Sequence, residues 1–139
     1  MNIGKNGKAF HSDYATPNYI YEPLNKEFNF DFDPCPLNHD ITKWNGLIIE
    51  WGKSNFVNPP YDRKTKEAFI KKGIEEYKKG KTVVFLLPVS TSTKIFHDFI
   101  LVNNPEIRFI KGRIKFKKDG ISAPAPFPSA IVIFRSDND

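Results

Sequence analysis

Six consecutive residues, Thr82-Val83-Val84-Phe85-Leu86-Leu87, form a continuous apolar run that Pro88 closes. A strand that does not alternate is expected at the buried centre of a sheet, where both faces are covered. Residues 63–79 can cover it. Phe69, Ile70, Ile74 and Tyr77 make one stripe there and Gly80 ends the pattern, as in an amphipathic helix. The lysines of this stretch mix with Glu67, Glu75 and Glu76 and read as an ordinary solvated face. Residues 93–102 form a second such helix, with Ile95, Phe96, Phe99 and Ile100 inward, after a Ser/Thr run that caps it. An earlier helix spans residues 16–28, with Thr16 as N-cap, Pro17 in the first helical position, and Ile20, Leu24 and Phe28 at helical spacing beside Tyr21.

Residues 28–33 alternate with period two, a strand stopped by Pro34 and Pro36. Residues 55–57, 107–110, 114–116 and 130–134 are further short strands, and a proline-rich loop over 123–128 leads into the last. Residues 37–53 read as a loop holding a small strand or a helical turn. The order of elements predicts an α/β fold with a mainly parallel sheet and antiparallel C-terminal strands. Residues 1–13 read as a flexible polar leader and residues 14–139 as a single domain.

The turn after the strand at 55–57 is Asn58-Pro59-Pro60-Tyr61. In open α/β sheets ligands bind outside the carboxyl ends of strands. An asparagine oxygen and a backbone carbonyl can accept the two N–H groups of a planar amine and localise its lone pair for attack on an electrophilic methyl. Consecutive prolines stiffen such a turn, and the aromatic that follows can stack on a flat base. The same four residues also make a serviceable strand-to-helix turn without chemistry.

Two other groups stand beside it. Asp33-Pro34-Cys35 puts a carboxylate at a strand end, where it could take an ammonium or a ribose hydroxyl, or simply close a turn. Lys111, Arg113, Lys115 and Lys117 recur every second residue opposite Ile110, Ile114 and Phe116, and Arg108 extends the series. That pattern suits phosphate contacts, and it also suits a solvated edge strand. A net charge of +5 fits a polyanionic partner.

Other chemistries find little support. Cys35, His39 and Asp40 are too few for a metal site, and His97 has no evident nucleophile. The absence of a G-x-G after the first strand argues against ordinary dinucleotide binding. A single cysteine allows no internal disulfide, and no apolar run approaches transmembrane length, so the cytoplasm is the expected compartment.

In order, Thr16-Pro17, the Phe-rich strand into Asp33-Pro34-Cys35, Gly46-Leu47 with Trp51, Asn58–Tyr61, Leu86-Leu87-Pro88 with Phe96-His97, residues 111–116 and Pro126-Phe127 resemble the small phage-type DNA N6-adenine methyltransferases related to the Dam enzymes. The resemblance implies a reduced, single-domain Rossmann-like fold that binds S-adenosylmethionine and methylates adenine N6 in double-stranded DNA, as a monomer or homodimer, in a bacterial host or encoded by a phage. It implies that Asn58 and the Pro59 carbonyl hold the amino group, Pro60 stiffens the turn, and Tyr61 stacks on the base, with Phe116 on its other side. It places Thr16, Pro17, Asp33, Pro34, Cys35 and Asn58 around the cofactor, with Asp40, Asn45 or Glu50 on its ribose. Arg108, Lys111, Arg113, Lys115 and Lys117 would meet DNA. The cofactor loop departs from larger methyltransferases, carrying Pro36, Leu37 and Asn38 where they have glycines, and no separate recognition domain is present. Methylation of RNA or of a protein glutamine amide, and a DNA-binding module without activity, are the rival readings.

Overall fold

A computed structural model describes residues 15–36, 45–118 and 121–137. The expected leader, Asp40 and His39 lie outside the described residues. The elements run α1 (Asn18–Phe28), β1 (Ser54–Val57), α2 (Arg63–Lys78), β2 (Thr82–Pro88), a π-helical turn (Ile95–Ile100) continued by a 3-10 turn (Leu101–Asn103), β3 (Glu106–Phe109), β4 (Lys115–Lys118), β5 (Ile121–Pro124) and β6 (Ser129–Phe134).

A four-stranded sheet has the order β1-β2-β6-β3, and β4 with β5 forms a separate hairpin. The apolar run is indeed interior. β2 pairs in parallel with β1, Val57 opposite Phe85, and antiparallel with β6, Leu86 opposite Ile131. Val83, Val84 and Phe85 are completely buried. The sheet is mixed rather than mainly parallel, because β6 runs against both β2 and β3. The expected strand over residues 28–33 shrinks to one parallel bridge, Phe32 with Asn55. Asn29 takes a left-handed conformation at the end of α1, and the prolines that follow offer no N–H to prolong a ladder. The bridge still sets residues 30–33 alongside β1, with Phe56 N–H donating to the Phe32 carbonyl at 3.2 Å.

Two apolar layers flank the sheet. On one face α2 and the π turn pack Phe69, Ile70, Ile74, Ile95 and Ile100 against Val57, Phe85 and Val132. On the other, α1 and the β4–β5 hairpin pack Leu24, Phe28, Ile114 and Phe116 against Phe56, Val84 and Ile131. α2 lies so close to β2 that a methyl group on Gly73 would sit 2.4 Å from the Phe85 ring. The expected helix at 93–102 winds as a π turn instead. Ile95 and Ile100 are both buried, and a five-residue spacing returns to one face only in the wider winding. Phe99, expected inward, is exposed.

The solvated face predicted for α2 needs correction at Glu76, which is completely buried. Its carboxylate accepts from the ammonium groups of Lys72 at 2.9 Å and Lys79 at 3.0 Å, from Lys81, and from the Trp51 backbone N–H at 3.2 Å. Burial alone would raise its pKa. The three lysines and the Trp51 N–H outweigh that and hold it at about 2. Trp51 in turn donates its indole N–H to the Gly46 carbonyl at 2.7 Å, and Gly46 presses on Pro34 so tightly that a Cβ would fall 2.0 Å from the Pro34 oxygen. The ion cluster therefore braces the loop that backs the Asp33–Cys35 turn.

Candidate active site

Parallel β1 and β2, with residues 30–33 beside them, end at the same edge of the sheet. Their carboxyl ends bring together the turn after Asp33, the turn after Val57 and the loop after Pro88. β1 feeds the second of these directly. Asn58 follows completely buried Val57, Pro59 is buried, and Asp62 caps α2 by accepting from the Thr65 backbone N–H at 3.0 Å. A buried strand at one end and a capped helix at the other fix the turn.

Within it, the Asn58 side chain is held from two sides. Its Nδ2 donates to Thr16 Oγ1 at 3.1 Å, and its Oδ1 accepts from the Tyr61 hydroxyl at 3.2 Å. The first bond corrects the expected cap. Pro17 rather than Thr16 is the N-cap of α1, no side chain caps that helix, and the Thr16 hydroxyl serves Asn58 instead. Tyr61 is half-buried, with Phe127 tilted against it at 5.1 Å between centroids and Phe116 edge-on at 6.2 Å. Burial pushes its phenol pKa up, so it remains an O–H donor. Phe116 is completely buried and backs the Tyr61 ring.

On the Asp33 side, one carboxylate oxygen accepts from the Cys35 backbone N–H at 2.9 Å, which closes the Asp-Pro-Cys turn. The side chain of Asp33 remains exposed while Pro34 and Cys35 are buried. Burial, and then the charge of Asp33, push the Cys35 thiol up to about 12, so it is a neutral packing group and not a nucleophile. The same charge reaches Tyr21, whose phenol pKa is raised by burial first and by Asp33 second. Tyr21, Phe30 and Phe56 form an aromatic wall here, with Tyr21 edge-on to Phe56 at 5.2 Å. In the sequence Tyr21 was visible only as a residue flanking a helical stripe.

The ribose candidates separate. Asn45 Oδ1 accepts from Leu47 N–H at 2.9 Å in a turn of its own loop. Glu50 lies with Lys81 at 3.1 Å and Lys79 at 3.6 Å, at the amino end of β2 and so away from Asn58, which removes it from the site.

The basic series also divides. Arg108 is not a free cation: its guanidinium grips Glu27 through two bonds of 2.7 Å and also reaches Glu106. Lys111, Arg113 and Lys115 are exposed while Ile114 and Phe116 point inward, so charge faces out and apolar bulk faces in. Gly112 turns the chain between them at φ 74°, a conformation that favours glycine. Lys117 follows in the same strand, β4. The exposed ring of Tyr19 extends the surface, its hydroxyl accepting from Lys115 N–H at 3.5 Å. Among the described residues no cluster could hold a metal ion and no helix is long and apolar enough to cross a membrane.

A family model described as DNA N-6-adenine-methyltransferase (Dam) matches residues 5–136. No curated protein and no solved structure matches the chain.

Proposed function

We propose, from the premise that this chain belongs to the DNA N-6-adenine-methyltransferase family, that it transfers a methyl group from S-adenosylmethionine to N6 of adenine in double-stranded DNA. The observation that carries the reading is the Asn58 amide, held between Thr16 and Tyr61 at the carboxyl end of β1. We read the fold as a reduced, single-domain Rossmann-like methyltransferase core.

The residues around Asp33 suit the cofactor. Its exposed carboxylate, beside a phenol whose ionisation it already opposes, makes a negative spot that favours a sulfonium or ammonium cation. Asp33 and Thr16 would hold its polar groups, and Pro17, Pro34 and Cys35 would shape the cradle. When bound, the cofactor supplies an electrophilic methyl.

The protein's part is to make a poor nucleophile better. Asn58 Oδ1 has two lone pairs, so it can accept an adenine N6–H while keeping or releasing the Tyr61 hydroxyl. The Pro59 carbonyl would accept the second N–H. Both acceptors strengthen as N6 becomes tetrahedral and its hydrogens gain charge, which is selective for the transition state. No general base is needed, because the extra proton is acidic after transfer and leaves to solvent. The base must first leave the duplex stack, at a cost of about a few kcal/mol. Stacking on Tyr61 returns about 1–3 kcal/mol. Lys111, Arg113, Lys115 and Lys117 would hold the phosphates, while Arg108 stays with its glutamates.

The test is to incubate the protein with labelled S-adenosylmethionine and duplex DNA, RNA or protein, and to identify the methylated product. N6-methyladenine in DNA is expected. Label in RNA or in a glutamine amide but not in DNA would change the substrate, and no calorimetric binding of S-adenosylmethionine would remove the activity altogether.

A further inference from the structure

The sheet face opposite Tyr61 contains a cavity of about 150 Å³, open to solvent on one side and bounded by α2, the π turn, β2, β6 and β3. Its walls are apolar, with Ile70, Leu87, Ile95, Ile100 and Val132 among them. These residues belong to the core layer under α2, while Tyr61, Phe116 and Phe127 belong to the other layer. The apolar interior of the cavity therefore lies across the sheet from Tyr61, while Pro88, Val89 and Ser90 bring part of its lining from the loop at the site's own sheet edge. An apolar space of about this size can accept a molecule about as large as benzene.

The charged part of the lining is net positive. Arg63, Lys66 and Glu67, from the start of α2, all line it. Arg63 is satisfied by Glu67 at 3.2 Å. Lys66 makes no ion pair among the described residues, although it is only half-exposed. Burial lowers its pKa and the charge of Arg63 adds to that; Glu67 and Asp62 act in the opposite direction. A partly desolvated ammonium beside an apolar hollow gains from an anion more than an exposed one does. Ser90, also on the rim, offers a hydroxyl to the same group.

We propose that this cavity binds a small monocarboxylate with a compact apolar body, about the size of benzoate, its ring among Ile70, Leu87 and Ile100 and its carboxylate on Lys66. The neutral isostere, benzyl alcohol, fills the same volume without the charge, so the pair separates apolar fit from the Lys66 contact.

The test is a calorimetric or NMR titration of the full chain with sodium benzoate and, separately, benzyl alcohol. Benzoate should bind saturably and about tenfold tighter than benzyl alcohol, the factor expected of one charge-assisted hydrogen bond. Lys66→Met keeps the aliphatic stem and should reduce benzoate to the affinity of benzyl alcohol, leaving the alcohol unchanged. Ala130→Leu fills the cavity from β6 and should abolish both. If that variant does not fold, Lys66→Met still decides. The proposal is overturned by non-saturable benzoate binding, by equal binding of the two probes to the wild type, or by undiminished benzoate affinity in Lys66→Met.

Discussion

The two ends of the β1–β2 pair handle buried polarity in opposite ways. At the amino end, the completely buried Glu76 carboxylate is surrounded by three ammonium groups and a backbone N–H. At the carboxyl end, the Asn58 amide is held by two neutral hydroxyls at 3.1 and 3.2 Å. Hydrogen bonds to charged groups contribute about 1.5–3 kcal/mol, and neutral ones about 0.5–1.5 kcal/mol. The amino end is thus locked, and the carboxyl end is placed yet exchangeable. A site that must accept an incoming amino group needs the second condition, and the first provides the rigid frame for it. The bracing from Glu76 through Trp51 and Gly46 to Pro34 connects the two.

Glu76 is where the difference between the two ends should be largest. Glu76→Gln leaves three ammonium groups around a neutral amide, and removing one partner of a buried charge network costs about 3–5 kcal/mol. Urea denaturation should show that loss as a lower midpoint with an unchanged slope; a loss under about 1 kcal/mol would mean that the amino end is not the lock described. The pH dependence follows with the same sign. Because the folded pKa is depressed to about 2 from an ordinary 4.5, the contribution is complete above pH 4.5 and is lost as pH falls towards 2. The wild type should lose stability across that window, and Glu76→Gln should lose distinctly less.

Asn58→Ala should spare stability and remove activity. Loss of a group that stabilises the transition state lowers kcat by about 10²- to 10³-fold. A Tm shift of several degrees with turnover intact would reverse the roles of the two ends. Tyr61→Ala should weaken DNA-dependent turnover by about 5- to 150-fold, the equivalent of about 1–3 kcal/mol of stacking, with S-adenosylmethionine affinity preserved. Tyr61→Phe keeps the ring and loses only the bond to Asn58, so its defect should be the milder of the two. The smallest effect belongs to the rim: Lys115→Ala should reduce the slope of log affinity against log salt for duplex DNA by about 1. An unchanged slope would take β4 out of the DNA-contacting surface.

Much of this arrangement was readable from residue order. The uninterrupted apolar character of residues 82–87 identified β2 as interior, and the Asn58–Tyr61 turn was found between a strand and a helix, as observed. Alternation along residues 113–116 correctly divided cations from core. Other elements were misread for identifiable reasons. Residues 28–33 have strand periodicity, yet a helix end and two prolines leave them a single bridge. The helical pattern at 93–102 could not distinguish an α winding from a π turn, since the buried pair Ile95 and Ile100 became decisive only once packed against the sheet. β5 was hidden in a proline-rich stretch, because its pairing with β4 is set by the hairpin and not by its own composition.

The stiff Asn-Pro-Pro-Tyr turn, its place after a buried strand, and the cationic run that follows Gly112 are legible in residue order alone. Those features depend on neighbours in the chain, whose geometry the residue types largely fix. Their partners come from the packing of segments distant in the chain. Thr16 could cap its own helix or reach Asn58, 42 residues away, and packing chose Asn58. Arg108 could face DNA or meet Glu27, and the approach of α1 to β3 gave it to Glu27. Glu76 could be solvated or buried among lysines, and the close seat of α2 on β2 buried it. Each choice turns on which distant segments come into contact, and that is settled by the packing of the whole chain rather than by any stretch of it.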